Sequence, residues 1–159
     1  MIEIKPFYTC KYDKAFKEIM MKEENFNILK KVLETILKVS IQEIKLQPLN
    51  LPTGNIHIKG KEVDLLVITE QGKIEVNTYC NDYVRTRNFS YITSIYNNQV
   101  TVGEKYNEDT NIIQINLNYG VKDTEYKRIY KVRDETGKEY IKNFCIYEIN
   151  MEKLKEIWK

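Results

Sequence analysis

Glycine, proline, cysteine, histidine and tryptophan are all scarce in this chain of 159 residues, at six, three, three, one and one. Cys10, Cys80 and Cys145 are odd in number, far apart and never in C-x-x-C spacing. That excludes a disulfide framework and a cysteine-based structural zinc site, and it fits a reducing cytoplasm. No apolar run reaches the roughly 18 residues of a membrane helix, and Met1 to Cys10 has no basic stretch followed by an apolar one. The expectation is a soluble, cytoplasmic protein without membrane contact. No linker, repeat or low-complexity tract interrupts the chain. One domain over residues 1–159 is therefore expected, with its core over about 5–120 and a C-terminal hairpin and helix over 121–159. An excess of one charge is lacking too: 25 Lys plus Arg against 23 Asp plus Glu leave a net charge of +2. Holding a polyanion by bulk charge is excluded, and any such site must be a local cluster.

What the chain does have is 42% hydrophobic residues in clear periods. Tyr12, Phe16, Ile19 and Met20 recur at helical spacing, and Phe26, Leu29, Leu33, Ile36 and Leu37 form a second stripe that predicts a helix to about Val39. Ile41 to Leu46 alternates like a strand, and Gln47 to Gly60, with Pro48, Pro52 and Gly54, reads as a long loop. Val63 to Ile68 is continuously apolar except at Asp64, the pattern of a strand covered on both faces. Thr69 to Gly72 supplies a turn, and Lys73 to Tyr79 returns as a strand. Asn81 to Val102 reads as a long helix ended by Gly103. Ile113, Ile115, Leu117 and Tyr119 alternate against Gln114, Asn116 and Asn118, which predicts a half-exposed strand. Tyr126 to Ile149 reads as a hairpin around Asp134 to Gly137, followed by a short helix from Met151.

A carboxylate within a buried apolar strand is costly unless it is paired, protonated or bound to a cation. Asp64 has two readings: an ion pair with Lys59, Lys61 or Lys73, or one half of a metal site completed by a second carboxylate. Glu75 is the only acid on the returning strand. If the turn is even-numbered, Ile68 faces Lys73, Asp64 faces Asn77, and Glu75 lies one diagonal step away on the same face. The two carboxylates would then be within reach of one hard cation such as Mg²⁺ or Mn²⁺. An odd turn would put them on opposite faces. The following helix adds Arg85, Arg87, Asn88, Tyr91 and Gln99, a set suited to gripping phosphate, or equally to an ordinary solvated helix face. His57, the sole histidine, reads as a surface residue and Trp158 as the anchor of the last helix.

The motifs Asp13-x-x-Phe16-Lys17, Lys61-Glu62-Val63-Asp64-Leu65-Leu66-Val67 and Gly72-Lys73-Ile74-Glu75-Val76-Asn77 follow one another in that order. Arg87-Asn88-Phe89-Ser90-Tyr91, Gly103-Glu104-Lys105-Tyr106 and Ile112-Ile113-Gln114-Ile115-Asn116 continue the series. With them the chain resembles the PD-(D/E)XK nuclease superfamily, and more narrowly its nuclease family transposases, related to the Rpn-like recombination-promoting nucleases of mobile elements. The resemblance implies an α/β restriction-endonuclease-like fold, a mixed four-stranded sheet flanked by helices. It also implies a Mg²⁺- or Mn²⁺-dependent DNA endonuclease. Asp64 and Glu75 match the metal carboxylates, with the Val76 carbonyl and Asp13 as further ligands. Asn77 would orient the attacking water, Lys73 would meet charge on the phosphate, and Lys17, Lys61, Arg85, Arg87 and Tyr91 would hold DNA. The chain departs from the pattern at Asn77, where the superfamily usually has Lys and the Rpn branch often Gln. It also stops at Trp158-Lys159, where members continue with further helices, which fits a natural short form, a trimmed chain or a remnant adopted for another role. The competing reading is a nuclease-like binding protein that does not cut and whose partner is DNA or, in a phage or mobile-element inhibitor, a host defence protein. A homodimer is compatible with either.

Overall fold

The computed structural model describes residues 13–50, 62–79, 85–97 and 111–157, and side chains at 13, 14, 47–50, 62–64, 79 and 157 lie outside what it describes. Helix α1 spans Asp13–Met20, and a 3-10 turn at Glu23–Asn25 leads into α2, Phe26–Leu37. Lys38 turns left-handed at φ 58°, with its N–H donating to the Glu34 carbonyl at 2.8 Å, so α2 ends two residues before the expected Val39. The strands are β1 Lys45–Asn50, β2 Glu62–Thr69 and β3 Gly72–Tyr79. Helix α3, Arg85–Asn97, precedes β4 Ile112–Asn118, β5 Lys127–Lys131 and β6 Phe144–Asn150, and α4 Met151–Ile157 follows.

All six strands join one sheet in the order β1-β2-β3-β4-β6-β5. The β1-β2-β3 meander is antiparallel, β3-β4 and β4-β6 are parallel, and β5 runs antiparallel to β6. The sheet therefore has six strands where four were expected, because the C-terminal hairpin docks β6 beside β4 instead of standing apart. The fold is restriction-endonuclease-like, with helices on both faces of a mixed sheet.

One face carries Leu65, Val67, Ile74, Val76, Ile115 and Leu117 into a core with Phe16 and Met20 of α1 and Leu29, Leu33 and Ile36 of α2. The other face carries Leu66, Ile112 and Phe144 against Ile92 and Ile95 of α3. Coverage of both faces explains the near-continuous apolar run of β2. No helix among the described residues is long and apolar enough to cross a membrane.

Three local expectations are corrected. The strand expected at Ile41 begins at Lys45: Ile41 is fully buried and its N–H donates to Glu34 Oε1 at 2.9 Å, which ties this segment to α2. Pro48, assigned to a loop, lies inside β1, where the pairing with β2 slips between Gln47 and Leu49. A proline without an N–H is tolerated there because β1 is the edge strand and the ladder is irregular at that point. Residues 51–61 of the expected loop lie outside the described residues, as do the expected helix ends at 81–84 and 98–102, His57 and Trp158. The third correction concerns β4, which is buried along almost its whole length and not half-exposed.

The β2-β3 turn is two residues, Glu70-Gln71, because Thr69 and Gly72 already pair. Gly72 has φ +123°, and any Cβ there would collide with the Asn111 carbonyl, which accepts the Lys73 N–H at 2.8 Å. Only glycine allows that close approach.

Candidate functional site

The two-residue turn keeps even parity, so Ile68 pairs with Lys73 and Leu66 with Glu75. The parallel register continues the rows: Lys73 beside Ile112, Glu75 beside Gln114, and Asn77 beside Asn116. In β6 the same rows end on Phe144, Ile146 and Glu148. On this face, then, an apolar row at the hairpin end gives way to two polar rows toward the carboxyl ends of β3 and β4.

Helix α3 lies over all three rows. Its buried residues are Asn88, Ile92 and Ile95, spaced i, i+4, i+7. The two isoleucines cover the apolar end, and Asn88 meets the polar rows. Gln114 Nε2 donates to Glu75 Oε2 at 2.5 Å and to the Asn88 carbonyl at 2.9 Å, and Asn88 Nδ2 donates to Asn116 Oδ1 at 3.1 Å. Glu75, Asn77, Asn88, Gln114 and Asn116 are each at most 3% exposed. Gln114 Oε1, Asn88 Oδ1 and both side-chain polar atoms of Asn77 have no hydrogen-bond partner among the described residues. Each buried polar atom left so costs about 1–3 kcal/mol, which points to a ligand, ion or water on this cluster. The orientation of Gln114 is secure, since its Nε2 faces two oxygens and cannot be exchanged with Oε1.

Around this cluster the expected residues scatter. Asp64 belongs to β2, and strand alternation assigns position 64 to the face of Leu66 and Glu75, but its side chain lies outside the described ones. The same holds for the side chain of Asp13, the first residue of α1, and Lys61 lies wholly outside. The Val76 side chain points into the opposite core. Lys17 is buried on α1, the helix whose Phe16 and Met20 join that same core. Lys73 shares the face of Glu75, one row away.

Arg85 is engaged: its Nε and Nη2 donate to Glu148 Oε1 at 3.1 Å and Oε2 at 2.9 Å, and its guanidinium carbon lies 5.9 Å from the Tyr130 ring centre. Arg87 is exposed and lies 5.6 Å from the ring centre of Tyr91. A cavity of about 270 Å³ opens beside the cluster, floored by Asn88, Gln114 and Asn116, walled by Phe89, Tyr130 and Ile146, and rimmed by the Arg85–Glu148 pair.

Gln114, Asn116, Glu148 and Tyr130 were not legible as site residues, because alternation alone assigns the polar positions of β4 to solvent. One signal was available. Asn88 falls in phase with Ile92 and Ile95, so the polar residue sits on the buried stripe of its helix.

The mixed sheet with helices on both faces is of the restriction-endonuclease-like type. The family described as PD-(D/E)XK nuclease family transposase matches residues 10–159, and the chain belongs to it. Among curated proteins, none matches this chain.

Proposed function

We propose that this nuclease-superfamily member is a divalent-metal-dependent DNA endonuclease that hydrolyses phosphodiester bonds. The observation that carries the reading is the buried row Glu75-Gln114 beside Asn77-Asn116, at the position of the family motif, with amide oxygens left without donors. The Glu75 carboxylate and the Asn77 amide oxygen are hard oxygen donors, which fit Mg²⁺ or Mn²⁺. No group of three or more His, Cys, Asp or Glu converges among the described residues. The family pattern adds Asp64, with Asp13 and the Val76 carbonyl as further ligands.

When bound, the ion would supply positive charge at the phosphate and make water a better nucleophile. The chain's own residues do the rest. Gln114 fixes the orientation of Glu75 through Oε2. Asn77, whose donor and acceptor find no partner among the described residues, holds and aims a water molecule. Lys73 on the same face, or Arg87 on α3, offsets charge developing on the phosphate. Because Glu75 is 1% exposed, substrate reaches it from the carboxyl ends of β3 and β4, past Asn77.

The second reading, a binding protein for DNA or a host defence protein, is favoured by one observation: Asn77 stands at the motif position usually taken by Lys. Incubation of plasmid with Mg²⁺ or Mn²⁺ separates the two. The endonuclease nicks or linearises it, Glu75→Ala abolishes cleavage, and Asn77→Lys keeps or raises it. An added ammonium at such a position is worth up to ~3 kcal/mol of transition-state stabilisation. Binding without cleavage by the wild type favours the second reading, and cleavage that survives Glu75→Ala rules out the assignment of Glu75.

A further inference from the structure

The cavity beside the polar rows is built unlike a phosphate site. Among the described residues lining it the one cation, Arg85, is neutralised by the bidentate contact with Glu148, while its walls are planar and apolar: Phe89, half exposed, and Tyr130, 42% exposed. Phe89 is held edge-on against Phe144, with ring centres 6.4 Å apart, so its position is braced from behind. The Arg85 guanidinium is held flat by two bonds to Glu148 and lies by the Tyr130 ring, adding a third planar group at the rim. At the bottom, Gln114 Oε1 is a buried acceptor with no donor among the described residues, on a side chain with no exposed surface.

Planar walls above a floor that carries buried acceptors, Gln114 Oε1 and Asn88 Oδ1, suit a flat, aromatic ligand with an N–H donor on its edge. We propose that this cavity is a subsite for one unpaired base of a nucleic-acid strand, stacked on Phe89, Tyr130 and Arg85 with its amine donating to Gln114 Oε1. Proteins that take single strands use this combination, because every base has a π-face and an unpaired base exposes its edge. A base inside a duplex can do neither, as its edge is paired and its faces are stacked. The proposal rests on the endonuclease reading only in taking the strand to be DNA. It places an unpaired nucleotide next to Glu75, so the substrate it implies is single-stranded DNA, or duplex carrying an unpaired or extruded base.

Binding of fluorescently labelled ten-nucleotide oligomers of dA, dC and dT, and of a duplex of the same length, tests this by anisotropy. The measurement is made in EDTA on the full-length wild-type protein, where no metal-dependent cleavage intervenes. Expected are tighter binding of single strands than of duplex, and of dA and dC oligomers than of dT, which lacks an exocyclic amine. Tyr130→Ala should weaken single-strand binding roughly tenfold or more, and Tyr130→Phe should restore it. Phe89→Leu, which keeps the apolar contact with Phe144, should weaken it as well. Free deoxyadenosine should displace the dA oligomer if one base suffices, and failure to displace while Tyr130→Ala still acts assigns the affinity to a base presented by a strand. Equal binding of duplex and single strand, or wild-type binding by both Tyr130→Ala and Phe89→Leu, overturns the proposal. Absence of oligomer binding overturns it too. Plasmid cleavage is scored separately: lost cleavage with intact base binding counts against the endonuclease reading alone, and the reverse counts against the base subsite alone.

Discussion

Gln114 spends one nitrogen on two acceptors, Glu75 Oε2 and the Asn88 carbonyl, and so joins β3, β4 and α3 at a single atom. Gln114→Glu changes no volume but replaces that donor by a second carboxylate against Glu75. Two carboxylates in a site of low dielectric cannot both ionise cheaply, so one pKa rises in the folded state. The sign follows from linkage. A carboxyl whose folded pKa lies above its unfolded value contributes stability at low pH that is lost as pH rises through the folded pKa. Gln114→Glu is therefore expected to lose more stability at pH 8 than at pH 5 in urea unfolding, and Mn²⁺ should recover part of the loss at pH 8. An equal loss at both pH values would show that the two carboxylates do not share the site. Asn88 illustrates how far such a residue can be read in advance: its phase with Ile92 and Ile95 marks it as buried, but nothing in the sequence says that it meets Asn116.

Among the elements, the β2-β3 hairpin sets the geometry of the site through the length of its turn. The apolar run of Val63–Ile68 and the alternation of Lys73–Tyr79 are legible, and the two-residue turn of the structure sets their parity. The resulting pair of Leu66 with Glu75 is what puts Glu75 on the α3 side. Gly72 holds that register beside Asn111, and Gly72→Ala combines a positive φ with a backbone collision. It is expected to destabilise by about 1–3 kcal/mol in urea unfolding. A neutral Gly72→Ala would mean that the hairpin tolerates a shift and that parity is not firmly held. Pro48 marks the opposite case. Its tendency to break strands suggests a loop, yet at an edge strand with slipped pairing the missing N–H costs no ladder bond.

For the molecule as a whole, the acidic groups with clearly lowered pKa values are Glu70 in the β2-β3 turn and, toward the C-terminus, Asp123, Asp134 and Glu139 around the β5-β6 hairpin. Arg128 beside Asp123 holds that carboxyl well below the usual range, hydrogen bonds from Thr136 lower Asp134, and Lys131 and Arg133 lower Glu139. All three have folded values below their unfolded ones, near 4. Their contribution is complete above that pH and is lost as pH falls through the depressed values. Acid unfolding should therefore begin in the β5-β6 region below about pH 4, and amide exchange there should rise before that of β3 and β4. Asp123→Asn should move this onset more than Glu139→Gln moves it, because the bidentate contact with Arg128 lowers Asp123 the furthest. Because these groups are exposed, both shifts should shrink in high salt.

Helical and strand periods and the Asp64–Glu75–Asn77 series were determined by the sequence itself, since each depends on local pattern, while the parity of the turn was settled by the strand pairing. The family resemblance rests on the same local patterns. Which strands lie side by side was decided only in three dimensions. Gln114 and Asn116 read as solvent-facing because alternation reports the difference between two faces, not what covers them. They are buried because β4 inserts between β3 and β6 and α3 crosses above it. Likewise the hairpin looked like an appendage, and only the pairing of β6 with β4 brought Glu148 and Tyr130 to the rim of the cavity. Contacts such as Arg85 to Glu148, 63 residues apart, leave no periodic trace in the chain, and the long-range pairing that creates them is where the site acquires its walls.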